Sequence, residues 1–139
     1  MYERLLITIA VMAFVWITLS LMKRRQVALA NRASQQLDIA SNTPTIVYFW
    51  SDGCHVCKNT QRRVLDEIVA EYGKEQLGFT AYNVDEAPGV AREWGVRTLP
   101  TTFLLDSTGT IRHVNNGLVV PEVLRKQLDS MIFQRKHGV

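Results

Sequence analysis

Cys54 and Cys57 are the only cysteines in this 139-residue chain, and they frame the stretch Cys54-His55-Val56-Cys57. Two thiols at this spacing can close on each other and can exchange with a disulfide elsewhere, so the chemistry they offer is two-electron thiol–disulfide exchange. The run Thr45-Ile46-Val47-Tyr48-Phe49-Trp50 leads in, Ser51-Asp52-Gly53 turns, and a long amphipathic segment follows. That order predicts a strand handing over to a helix at the pair. A cysteine in the first helical turn faces unpaired backbone N–H groups and the positive end of the helix dipole, which lower a thiol pKa by about one to several units. Cys54 is therefore the expected nucleophile, and Cys57, about one turn further in, the expected resolving thiol.

Two other uses of the pair have weaker support. Zinc takes about four ligands, whereas the chain offers two cysteines and His55, His113 and His137 with no second pair at ligand spacing, so no metal is expected. A structural disulfide between residues this close in sequence closes a very small loop and removes little chain entropy.

Leu5 to Met22 is an uncharged, mostly apolar run of 18 residues. As a helix it would span about 27 Å, close to the hydrocarbon thickness of a bilayer. Residues 1–25 are read as a single-pass membrane anchor with a basic flank, Lys23-Arg24-Arg25. A cleaved signal peptide is the rival, with Ala28-Leu29-Ala30 resembling a cleavage site, but the apolar run is longer than such a core and the basic flank lies between the two. The positive-inside rule places the C-terminal side on the cytoplasmic face, with the extracytoplasmic face as the alternative.

The formal net charge of +3 does not point to nucleic acid. Residues 1–25 carry the whole excess, and residues 26–139 hold twelve basic and twelve acidic side chains with no phosphate-binding tract.

Residues 26–42 form a helical or linker segment, with Val27, Leu29, Ala30, Ala33, Leu37 and Ile39 as its apolar positions and Ser41-Asn42-Thr43-Pro44 as its end. Residues 43–139 form one domain. Thr45 to Trp50 reads as a strand buried on both faces. Cys54 to Tyr72 reads as a helix whose stripe is Cys57, Val64, Leu65, Ile68, Val69 and Tyr72, capped by Gly73. Leu77 to Val84 is a second strand and Pro88 to Trp94 a short helix. Thr101 to Leu105 and Thr110 to Val114 flank the hairpin turn Asp106-Ser107-Thr108-Gly109, and Pro121 to Phe133 is the last helix. The result is an α/β domain, a mixed central sheet flanked by helices.

This order, with Phe49-Trp50-Ser51-Asp52-Gly53-Cys54-His55-Val56-Cys57-Lys58 at its first strand-to-helix junction, resembles the thioredoxin fold. Asn83-Val84-Asp85-Glu86-Ala87-Pro88-Gly89-Val90-Ala91 and Trp94-Gly95-Val96-Arg97-Thr98-Leu99-Pro100-Thr101 are similar to that family's strand, short helix and proline loop, and Asn116-Gly117 to its late glycine. The resemblance covers about residues 43–133 and implies a thioredoxin-like thiol–disulfide oxidoreductase. Pro100 would be a cis-proline facing the cysteines, beside which a substrate segment pairs in extended form. Leu99 would add an apolar contact, and Gly53 and Trp50 would border the same surface. No cofactor is implied beyond the redox-active disulfide. The partners implied are protein disulfide or dithiol substrates and an upstream electron donor or acceptor.

Departures from the family are informative. Tyr48 stands where thioredoxins usually carry a buried aspartate, and Ala81 replaces the lysine that accompanies it, which leaves the proton acceptor for Cys57 open, with water as the default. Gly53 replaces a tryptophan, and His55-Val56 replaces Gly-Pro. Two other functions fit the same residues. One is an extracytoplasmic thioredoxin-like protein for disulfide formation or cytochrome maturation, although no inserted segment of the haem-maturation kind separates the active-site helix from the next strand. The other is a non-catalytic binding or redox-sensing module. His55 can stabilise the Cys54 thiolate, which makes the disulfide more oxidising. The expected potential lies between roughly −270 and −120 mV, and a reductive titration falling below that window would remove this role from His55.

Overall fold

A computed structural model of the chain describes residues 2–36 and 42–137. Helix α1 runs Tyr2–Gln36, followed by β1 (Thr45–Trp50), a π-helical turn (Cys57–Gln61) and α2 (Arg62–Tyr72). Then come β2 (Gly78–Asn83), α3 (Pro88–Glu93), β3 (Thr101–Leu105), β4 (Ile111–Asn116) and α4 (Pro121–His137). Leu37, Ile39 and Ser41, assigned above to the segment after the basic flank, lie outside the described residues.

The sheet has the order β2-β1-β3-β4, with β1 parallel to β2 and antiparallel to β3, and β3 antiparallel to β4. Alternation along β1 divides the core in two. Ile46 and Tyr48 point to one face, where Cys57, Leu65, Ile68, Leu124 and Leu128 pack over them. Val47 and Phe49 point to the other, with Trp94, Phe103, Leu105, Ala30 and Ala33. The sheet is therefore covered on both sides, as its apolar central strands require.

The cover on the second face includes the end of α1. This helix continues past the basic flank with no break, and its small residues Ala30 and Ala33 are buried. Polar groups fix its position: Asn31 Oδ1 accepts the Ile111 N–H at 2.8 Å, and the Ser34 hydroxyl lies 3.0 Å from the Gly109 carbonyl. Gly95 lies at φ +66°, a conformation that disfavours a side chain, where a Cβ would sit 3.5 Å from Gln26 and 3.6 Å from Leu29 of α1. The earlier part of α1 is long and apolar enough to cross a membrane, and none of its apolar window is buried by the described residues.

Several boundaries differ from the sequence reading, with β2 (Gly78–Asn83) one residue shorter at each end and α3 (Pro88–Glu93) one residue shorter at its end. The helix after Cys54 contains the π turn described below. β4 begins at Ile111 and runs on to Asn116, because Asn115 and Asn116 pair with Thr102 and Thr101. The last helix continues to His137.

At the β3–β4 turn, Asp106 Oδ1 accepts the N–H groups of Thr108 and Thr110 at 2.9 and 3.1 Å, and Oδ2 accepts Arg112 Nε at 2.6 Å. Burial alone would raise the carboxyl pKa, but these bonds and the Thr108 hydroxyl outweigh it and hold it below the ordinary value. A depressed folded-state pKa contributes stability that is present above the unfolded value, near 3.9, and lost as pH falls through the folded value. Asp106→Asn is expected to cost about 1 kcal/mol at neutral pH and nothing at the acid end, read as urea midpoints from pH 7 down to 2.5.

Candidate redox site

Strand alternation and the π turn together build the site. Tyr48, on the same face of β1 as Ile46, donates its hydroxyl to the Cys57 carbonyl at 2.9 Å. That carbonyl also accepts the N–H of Arg62, five residues on, which is the π-helical bond. The phenol is buried, and desolvation, only partly offset by the charge of Arg62, pushes its pKa up to about 12. Tyr48 is therefore a neutral hydrogen-bond donor at physiological pH, where the resemblance places an aspartate.

The next inward position in the turn is Gln61, fully buried. Its amide is satisfied by one backbone residue, Nε2 donating to the Val119 carbonyl at 3.3 Å and Oε1 accepting the Val119 N–H at 2.8 Å. The segment before α4 is thereby pinned to the redox helix.

Cys54 and Cys57 form a disulfide with Cα atoms 5.3 Å apart. Cys57 has no exposed surface, whereas Cys54 is partly exposed. The Cys57 backbone N–H donates to Cys54 Sγ at 3.2 Å. The preceding turn is fastened to the end of β2: the Asp52 N–H donates to Asp85 at 3.0 Å, the Asn83 amide to Asp52 at 3.0 Å, and the Val84 N–H to the Trp50 carbonyl at 2.8 Å.

Trp50, Cys54 and Leu99 all pack against the cluster that contains Cys57 and Tyr48. The Leu99–Pro100 peptide is cis, and the Pro100 carbonyl accepts the Gly117 N–H at 2.7 Å. Gly53 is exposed in the turn, with nothing within 4 Å of the place a Cβ would take. His55 is exposed and its Nε2 lies 2.8 Å from Asn59 Nδ2, an acceptor there when the ring proton is on Nδ1. Among the described residues, the hydrogen bond to Cys54 Sγ comes from the Cys57 N–H and none is recorded from His55. A pocket of about 130 Å³ lined by Tyr48, Trp50, Cys57, Lys58 and Arg62 opens beside the inner cysteine. Among the described residues no three His, Cys, Asp or Glu gather where they would hold a metal.

A family model described as thioredoxin-like domain matches residues 32–132, most of the chain. The chain belongs to that family. The thioredoxin of Acidithiobacillus ferridurans is 31% identical over 94 residues, 68% of this chain and 84% of its own length. A chloroplastic M-type thioredoxin of Chlamydomonas reinhardtii is 41% identical over 66 residues, 48% of this chain, which span 46% of that relative. Among solved structures, a thioredoxin-2 described as a component of malaria parasite protein secretion machinery superposes with a TM-score of 0.59 at 25% identity, covering 63% of this chain and 82% of that one. A Cys-x-x-Cys disulfide in this family's fold is a thiol–disulfide oxidoreductase centre.

Sequence reasoning missed the Tyr48 and Gln61 contacts and the Asp52–Asn83–Asp85 fastening. Gln61 left a signal, because it stands four residues after Cys57 and four before Leu65, a polar residue on the apolar stripe. Tyr48→Phe is expected to cost only about 1 kcal/mol in urea unfolding of the oxidised chain, since the Cys57 carbonyl keeps its Arg62 partner. A cost of about 3 kcal/mol or more would mean that the phenol holds up more than one hydrogen bond.

Proposed function

We propose that this chain is a membrane-tethered thiol–disulfide oxidoreductase acting on protein substrates, with Cys54 as nucleophile and Cys57 as resolving thiol. The observation that carries the reading is the unequal exposure of the two sulfurs: a protein disulfide can reach the partly exposed Cys54 but not the buried Cys57.

In the reducing direction the Cys54 thiolate attacks one sulfur of the substrate disulfide, forming a mixed disulfide and releasing a substrate thiolate that takes up a proton. Cys57, deprotonated, then attacks Cys54 Sγ, which closes the intramolecular disulfide and releases the second substrate thiol. Two electrons pass to the substrate, and an upstream dithiol returns them to the pair. The Cys57 N–H supports negative charge on Cys54 Sγ. With Tyr48 held neutral, water in the pocket beside Cys57 is the acceptor for its proton. Trp50, Leu99, Gly53 and the backbone at Pro100 form the surface a substrate strand would lie along, and His55 adds to thiolate stabilisation when protonated. No cofactor is required beyond the two thiols.

The tether draws support from the packing of α1. Gln26 exchanges two hydrogen bonds with Asn116, and Ala30 is buried in the domain's core. A signal-peptide cut after Ala30 would strip away both contacts. The basic flank favours the cytoplasmic face, and with it the reducing direction.

With dithiothreitol as donor, the chain is expected to reduce insulin, Cys54→Ser to abolish turnover, and Cys57→Ser to trap a mixed disulfide at Cys54 visible on a non-reducing gel. Turnover surviving Cys54→Ser overturns the mechanism. Alkaline carbonate should leave the 15.8 kDa chain in the membrane pellet with its N-terminal segment intact; a shortened, released chain overturns the tether alone.

A further inference from the structure

We propose that the groove between α1 and the loop joining α3 to β3 binds an anionic glycerophospholipid, with the phosphate held by Lys23, Arg25 and Arg97 and an acyl chain along Trp16, Leu19 and Met22. The inference rests on the membrane-tethered reading. The groove encloses about 510 Å³, within the roughly 300–1,000 Å³ of ligand sites. Trp16, Leu19, Lys23 and Gln26 follow one another at steps of three or four residues, so a single helix face is turned toward the domain.

The two halves of the groove differ in chemistry. Trp16, Leu19 and Met22 belong to the apolar run, whereas Lys23, Arg25 and the domain's own Arg97 gather at its polar end. Among the described residues no carboxylate lines it. The ion pairs among the described residues engage Arg62, Arg112 and Arg125, none of the three cations of the groove. Because residues 26–139 are otherwise balanced in charge, the positive potential here is local. An acidic peptide would match the cations but not the apolar half, which the tether places in hydrocarbon. A phospholipid matches both: its headgroup lies at the level of Lys23 and its chain beside Leu19.

Arg97 separates this from the general attraction of a basic flank for an anionic leaflet, since it is supplied by a loop of the folded domain. It is exposed, so its replacement does not threaten the fold.

The test is native mass spectrometry of the full delipidated chain in detergent, titrated with phosphatidylglycerol or phosphatidylcholine of the same acyl chains. Phosphatidylglycerol is expected to bind about ten-fold or more tightly, Arg97→Gln to weaken it about five-fold, and Arg24→Gln, off the groove, to change it less than about two-fold. Equal affinity for the two lipids, or an Arg24→Gln loss as large as that of Arg97→Gln, overturns the proposal. Displacement of the lipid by about 5 mM inorganic phosphate would mark a free-anion site and also overturn it. Carbonate extraction reads the tether separately: a chain that stays in the membrane yet shows no lipid preference loses this inference alone.

Discussion

The carbonyl oxygen of Cys57 accepts the Tyr48 hydroxyl and the Arg62 N–H, so one backbone atom ties the central strand to the redox helix. The same residue's N–H reaches Cys54 Sγ, and its own sulfur completes the disulfide. Because the bond skips to the fifth residue, one extra residue is taken into the turn. Gln61, in that turn, is buried and bonded to Val119. A buried amide with both ends satisfied by backbone costs little, whereas the same amide with one bond lost would cost about 1–3 kcal/mol. The register of the turn and the position of the chain before α4 are thus set together.

A neutral phenol beneath the inner cysteine changes the electrostatics of the centre. A buried carboxylate near a thiol raises the cost of forming a thiolate, and its removal together with a partner lysine leaves no uncompensated charge. Here the ionisable groups bordering the inner cysteine's pocket are Lys58 and Arg62, both cationic, besides the phenol itself. Arg62 is itself paired with Asp66 at 2.9 Å, so Lys58 is the cation at this pocket with no ion pair among the described residues.

Much of this was legible in the sequence, for identifiable reasons. The pair, the strand before it and the hairpin are marked by local signals, an apolar and β-branched run and turn residues, whereas the proline loop was legible through the family resemblance. The two-faced burial of β1 followed from its unbroken apolar run. What was not legible depended on contacts distant in sequence. Val27 to Ala33 have the composition of either a spacer or a packed helix, and only the presence of an uncovered face formed by Val47, Phe49 and Phe103 decides for packing. At the π turn the Cys57 carbonyl is likewise shared with a residue distant in sequence, accepting the Tyr48 hydroxyl, nine residues earlier, as well as the Arg62 N–H. His55, expected from its type beside Cys54 to act on the thiolate, has its Nε2 within 2.8 Å of Asn59 Nδ2 one turn on, a contact the sequence did not suggest.

The continuity of α1 bears on how the redox pair meets its substrates. A domain on a flexible linker sweeps a large volume, and its encounters are governed by chain entropy. Here Gln26 bonds Asn116, and the Thr101 hydroxyl, next to Pro100, lies 3.3 Å from the same Asn116 side chain. The helix is therefore connected to the proline loop through the side chains of Gln26, Asn116 and Thr101. With Leu5–Met22 seated in a bilayer, Gln26 lies four residues, about 6 Å, beyond the apolar run. On the proposed tether, the proline-loop side of the domain would stay at the membrane surface. A mount of this kind trades reach for orientation: disulfides close to the bilayer are presented to Cys54 repeatedly, while those well away from it meet the site only if their own chain brings them there.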